Sequence, residues 1–298
     1  MNYPKKIKLC EVGPRDGLQK AKRRLSAAEK ADLINRAADA GFKEIEFGAF
    51  TGFKEVNLMD DSGEVFKLID RKEDVIYRAL VSDASAIERA AGYGVDTVKI
   101  SVFASEHIHG PIDDKVQVVQ QACNKANELG VRVFGSISLP FAGPQDGIVP
   151  YENVARLVGQ FREGGITRVS LGDASGMANP KLIQDRLEML KSDFPEITWV
   201  LHLHDTWGMG FANVIAGIEA GITCFDSSFA GLGGCPFIKG GRGNIASEQM
   251  VYMLDAMGIE TGIDLDKAYQ TAKYVQSLDV GITNSPYVTS RAGLDNNQ

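Results

Sequence analysis

The chain has no CxxC pair and no dense group of cysteines. Cys10, Cys123, Cys224 and Cys235 are scattered along its length, which excludes a disulfide framework and reads as reduced thiols in a cytoplasmic protein. No uninterrupted apolar run reaches membrane-spanning length, so no membrane partner is expected. Positive charge is in deficit: 32 Lys and Arg against 39 Asp and Glu leave a net charge of −7. That balance argues against a nucleic-acid partner, which calls for a basic face. The opening MNYPKKIKLCEVG leaves no room for a charged segment followed by an apolar one, so no secretory leader is expected. Histidine is scarce as well, with four in the whole chain, which makes the position of each informative.

What remains is the composition of an ordinary globular protein, 44% hydrophobic and 24% charged. Strand-like runs recur at 7–12, 44–47, 75–81, 97–102, 131–138, 168–171, 198–204 and 223–226. Amphipathic helical stretches at 27–40, 84–91, 116–129, 154–163, 180–191 and 212–220 lie between them, and a helical region runs from Ser247 onward. Eight strands, each leading to a helix or long connection, predict an α/β fold, a (β/α)8 TIM barrel with a short C-terminal helical extension. One domain is expected, with the barrel over about 6–262 and the tail over about 263–298. A doubly wound open sheet competes, but no GxGxxG follows the first strand. Turns such as Ala-Gly-Phe and Leu-Gly-Val close the helices with a left-handed glycine.

In such a barrel, chemistry sits at the C-terminal ends of the strands. His202 and His204 are spaced i, i+2 on a strand, so both imidazoles point to one side. A lone histidine is more often a satisfied core residue; a pair at a barrel mouth points to metal ligation. Asp16, in the turn after the first strand, reads either as half of a local ion pair with Arg15 or as a carboxylate beside that metal. Asn244 reads locally as a helix N-cap. Two imidazoles with carboxylate and amide oxygens suit an octahedral Mg2+ or Mn2+, one per chain, better than zinc. Cys235 lies among glycines in a loop able to move over the barrel mouth, which favours a reactive thiol over a buried hydrophobe.

EVGPRDGLQ (Glu11–Gln19), HLHDTWG (His202–Gly208) and AGLGGCPF (Ala230–Phe237), with GRGNIASEQMVYML (Gly241–Leu254), together resemble the 3-hydroxy-3-methylglutaryl-CoA lyase family. This family belongs to the metal-dependent TIM-barrel lyases and Claisen-condensing enzymes. ASE (Ala104–Glu106) and SLGD (Ser170–Asp173) fall between these motifs in the same order. The resemblance implies a divalent-metal-dependent acyl-CoA lyase performing retro-Claisen cleavage to acetyl-CoA and a keto acid. It implies Asp16, His202, His204 and Asn244 as metal ligands. It also implies Arg15 on the thioester carbonyl, and Cys235 as the thiol on the mobile loop. Gln19, Glu46 and Asp173 match residues lining the site, and Arg15, Asp16, His202 and Cys235 form the catalytic set.

Four places on three βα loops depart from the family pattern. Ala49 and Glu55 replace a serine and a tryptophan after the second strand, Ala142–Gly147 lacks the family's cysteine, and His107–Pro111 replaces a Lys/Asn-rich segment. Substrate choice resides on such loops, so a related branched hydroxyacyl-CoA such as citramalyl-CoA is the alternative acyl group. A Claisen-condensing acyltransferase is the alternative reaction. The partner expected is an acyl-CoA, and the chain is compatible with a homo-oligomer. Lys20, Lys22, Arg23 and Arg24 follow the first catalytic loop, either as a solvated turn or as a cationic patch for the phosphates of CoA.

Overall fold

The computed structural model describes residues 3–52, 58–234, 241–281 and 283–295. Eight strands close a barrel: β1 (Lys8–Glu11), β2 (Glu44–Phe50), β3 (Ile76–Val81), β4 (Thr97–Phe103), β5 (Arg132–Ser138), β6 (Arg168–Asp173), β7 (Thr198–Leu203) and β8 (Cys224–Ser227). Every neighbouring pair runs parallel, and β1 pairs with both β8 and β2, so no edge is left open. Around it lie α1 (Ala27–Asp39), α2 (Ser62–Leu68), α3 (Ala84–Gly92), α4 (Ile112–Leu129), α5 (Tyr151–Glu163), α6 (Pro180–Asp193) and α7 (Gly210–Glu219). They are followed by α8 (Ser247–Ala256), α9 (Leu265–Ser277) and α10 (Pro286–Asp295).

Local chemistry explains these elements. A Ser26–Glu29 capping box starts α1, and Asn179 with Pro180 at the first helical position starts α6. Gly130, at φ 67°, ends α4 in the left-handed conformation. The core lies between the apolar outer faces of the strands and the helices, as with Ile45, Val98, Val169 and Leu201 against Ile34, Ile87, Leu157 and Leu187. The short α2, absent from the sequence expectation, hangs on β2 through Ser62, whose hydroxyl accepts the Ala49 N–H at 2.8 Å.

The turn after β1 fixes the site. Gly13–Gly17 winds into one π-helical turn, a shape that recurs at functional sites. Gly13 packs so tightly that a Cβ there would stand 2.5 Å from the Glu11 carboxylate. After β7, His204 bridges to Asn244, which draws the residues ahead of α8 across the barrel mouth.

Candidate active site

Arg15 and Asp16 leave the π-turn pointing into the barrel mouth. The Arg15 guanidinium, though only 5% exposed, lines the cavity; its Nε donates to Glu46 at 2.5 Å and its Nη1 to Asp16 at 2.8 Å. Asp16 also accepts from Gln19 at 2.9 Å and from the Asn244 amide at 2.8 Å. Burial pushes the Asp16 carboxyl up, but the Arg15 cation, the two histidines and Asn244 outweigh it and hold the group well below the usual range. Asp16 is thus an anion at every ordinary pH.

His202 and His204 do share one face, with their Nε2 atoms 3.2 Å apart. Those atoms and an Asp16 carboxylate oxygen lie within 4.8 Å of one another. Burial, and then His202, push His204 down to about 3, which leaves a neutral imidazole with a free lone pair. His202 Nδ1 stands 3.3 Å from Asp226 of β8, the arrangement that orients a ligating imidazole. Two convergent ring nitrogens beside a permanent carboxylate form a donor set that fits a divalent cation.

Asn244 reaches the same place, but not as a helix cap. The cap position of α8 is Ala246, and the Asn244 amide nitrogen instead spans Asp16 and the Leu232 carbonyl. Ligation through its oxygen requires the amide to turn over.

Two expected site residues sit elsewhere. Glu46 is fully buried beneath Arg15; its carboxylate takes Arg15 on one oxygen and Arg78 and Lys99 on the other, at 2.9 and 2.5 Å. Burial raises its pKa, but Arg15, Lys99 and Arg78 together bring it down to about 2. It positions Arg15 and has no access of its own to a substrate. Asp173 is a correction of the same kind. Gly172 faces the lumen, so its neighbour faces away, and the Asp173 carboxylate caps the Ala178 N–H at 3.2 Å. Burial pushes that carboxyl up to about 7.

The cation cluster after Gln19 is also largely spent. Arg23 pairs with Glu29, Arg24 with Asp60, and Lys22 stands 3.9 Å from Asp279, while Lys20 lines the cavity. Cys235 lies outside the described residues; Cys10, Cys123 and Cys224 are free and buried.

The cavity itself holds about 400 Å3. Asp16, Arg15, His202 and His204 form one side, and Leu80, Lys99, Ser101, Ser136 and Ser138 form the other, with Phe103, Ile108 and His109 toward the mouth. Sequence reasoning missed the lumen residues Arg78, Lys99 and Asp226 and the three serines. The available signal was a polar residue at alternate positions within otherwise apolar strands.

Comparisons with known proteins agree with this geometry. The HMGL-like family model matches residues 6–275. Hydroxymethylglutaryl-CoA lyase of Bacillus subtilis is 37% identical over 281 residues, 93% of this chain and 94% of that protein. The crystal structure of a B. subtilis HMG-CoA lyase superposes with a TM-score of 0.93 at 35% identity, covering 98% of this chain and 100% of that one. An Acinetobacter baumannii HMG-CoA lyase, solved with coenzyme A and 3-methylmalate, gives a TM-score of 0.89 at 32% identity, covering 97% and 96%.

Proposed function

The chain belongs to the HMGL-like family, among the hydroxymethylglutaryl-CoA lyases, and on that premise we propose that it cleaves 3-hydroxy-3-methylglutaryl-CoA to acetyl-CoA and acetoacetate. The observation that carries this reading is the juxtaposition, in one cavity, of the Asp16–His202–His204 cluster and the Arg15 guanidinium. Asp16, His202 and His204, with Asn244 once its amide is turned, would hold one Mg2+ or Mn2+. When bound, that ion supplies Lewis acidity that favours loss of the proton from a tertiary hydroxyl.

The protein's own groups do the rest. Arg15, locked by Glu46 and Asp16, presents N–H donors to the thioester oxygen, where negative charge grows as the C2–C3 bond breaks. Because the guanidinium is fixed before the substrate arrives, little reorganisation is needed at the transition state. The bonding electrons pass to C2 as the enolate of acetyl-CoA, the hydroxyl-bearing carbon becomes the ketone of the departing acid, and the hydroxyl proton leaves to water, balancing the one the enolate takes up. Cys235 delivers a proton to the enolate carbon from the glycine loop, an assignment that rests on the family motif. Lys20, which lines the cavity, would meet the coenzyme's phosphates on this reading. The buried free thiols accord with a cytoplasmic setting, and no helix among the described residues is long and apolar enough to cross a membrane.

The test is release of acetyl-CoA from a panel of hydroxyacyl-CoAs, with and without a chelator. Cleavage that disappears on chelation and returns with Mg2+ or Mn2+ supports the reading. Undiminished turnover by metal-free protein overturns its metal part, and exclusive cleavage of citramalyl-CoA overturns its substrate.

A further inference from the structure

Beneath Arg15 and the metal ligands, charged side chains bridge the lumen from one wall to the other. One end is His202. The register pairs His202 of β7 with Asp226 of β8, so the two side chains leave adjacent strands on the same lumen face. His202 Nδ1 and Asp226 Oδ2 stand 3.3 Å apart, both buried and neither aligned in a hydrogen bond. A neutral imidazole can offer its Nε2 lone pair to a cation only when its proton sits on Nδ1. That proton then needs an acceptor, and Asp226 Oδ2 is the carboxylate oxygen beside it.

The other end is Glu46, which locks Arg15. The register pairs it with Arg78 of β3, and from there Arg78 crosses the lumen to β8. Its Nε donates to Glu46 Oε2 at 2.9 Å and its Nη2 to Asp226 Oδ1 at 2.9 Å, while Glu44 accepts from its Nη1. Lys99 runs alongside, 2.5 Å from Glu46 and 3.8 Å from Asp226. Arg78 is 1% exposed and does not line the cavity. Burying such ions costs several kcal/mol each before their mutual attraction is counted. A layer of branched apolar side chains would fill the same space without that cost, but would fix neither the ring nor the guanidinium.

Resting on the metal site read above, we infer that Asp226 and Arg78 are positioning residues for the cleavage. Asp226 selects the His202 tautomer whose Nε2 lone pair faces Asp16 and His204. Arg78, by spanning Asp226 and Glu46, holds that imidazole and the Arg15 guanidinium in one fixed relation. A lysine at this position cannot replace it, because an ammonium is a point charge whereas the planar fork meets both carboxylates at once.

The experiment reads Mn2+ affinity by titration calorimetry and kcat at saturating Mn2+, on variants whose fold is checked by circular dichroism. Asp226→Asn/Lys99→Met removes one charge of each sign, so the lumen stays balanced, and its Kd for Mn2+ should rise about 10- to 100-fold. Arg78→Lys keeps the charge and loses the span; its Mn2+ affinity and its kcat should each fall about tenfold. A folded Arg78→Lys protein with a lowered Tm but wild-type Kd and kcat makes the bridge mere filling and overturns the role of Arg78. A folded double variant that binds Mn2+ as tightly as the wild type overturns that of Asp226. The wild type provides a reading that does not depend on any variant folding: nitrogen-15 NMR of the Mg2+-loaded protein should place the His202 proton on Nδ1. A proton on Nε2 overturns the inference. Wild-type protein that binds neither Mn2+ nor Mg2+ overturns the metal reading itself, and the inference with it.

Discussion

Replacing Glu46 with glutamine keeps the shape of a fully buried side chain and removes its charge. In the fold that charge is shared by Arg15, Arg78 and Lys99, which become three cations around a neutral amide. The depression of the Glu46 carboxyl from 4.5 to about 2 corresponds to about 3 kcal/mol favouring the ionised form in the folded state. Breaking a buried ion pair from one side costs about 3–5 kcal/mol, the same order. For a chain of this size the expected fall in Tm is roughly 6–12 °C. The sign follows from the direction of the shift: the contribution is complete above pH 4.5 and is lost as the pH falls through about 2. At pH 7 the wild type therefore has it in full and the glutamine variant lacks it. Because Glu46 also holds Arg15, kcat/KM should fall about a hundredfold, the cost of a misplaced catalytic group. Urea unfolding and acetyl-CoA release, measured on the same preparations, check both parts. A variant with unchanged Tm and full activity would refute the claim that this carboxylate anchors the site.

His204→Ala should abolish tight Mn2+ binding, read by titration calorimetry, while circular dichroism shows an intact fold; retained affinity removes His204 from the ligand set. Asp173→Asn should lower Tm through the weakened cap on Ala178 and leave KM for the acyl-CoA unchanged, whereas a raised KM at constant Tm would return Asp173 to the substrate. Cys235→Ala should lower kcat about a hundredfold or more with little change in Tm, as fits a proton donor on a loop. Above pH 6.5 the fold should lose stability as pH rises to 8. Burial holds Glu11 at about 8 and Glu248 at about 7, so both keep protons in the fold that the unfolded chain gives up near 4.5. Urea unfolding at pH 6.5 and 8 checks this, and Glu11→Gln should flatten the slope.

The barrel was legible because each strand–helix unit repeats its own pattern of an apolar run, a helical period and a glycine stop. The run expected at 97–102 is the strand Thr97–Phe103, and that expected at 168–171 is Arg168–Asp173. The pairing of His202 with His204 was legible for a stronger reason, since strand periodicity alone puts both rings on one face. The same rule, applied to β6, sets Asp173 opposite Gly172 and so outside the lumen; proximity to a strand end concealed it. For Arg78 and Lys99 the alternation was there to be seen, but not which face it marked. A charged residue in a strand ordinarily marks a solvent face, and only closure of the barrel turns that face inward onto Glu46 and Asp226. The role of Asn244 is likewise tertiary, made by the bridge to His204 and not by its place ahead of a helix.

On the proposed reaction, the C2–C3 bond of 3-hydroxy-3-methylglutaryl-CoA breaks with the electrons passing to an acetyl-CoA enolate. Mass spectrometry of the products of turnover in D2O, with Mg2+ present, tests it most directly. Equimolar acetyl-CoA and acetoacetate are expected, with one deuteron in the methyl group of the acetyl-CoA. Recovery of the intact six-carbon acyl chain, or of acetyl-CoA carrying no deuteron, would contradict it.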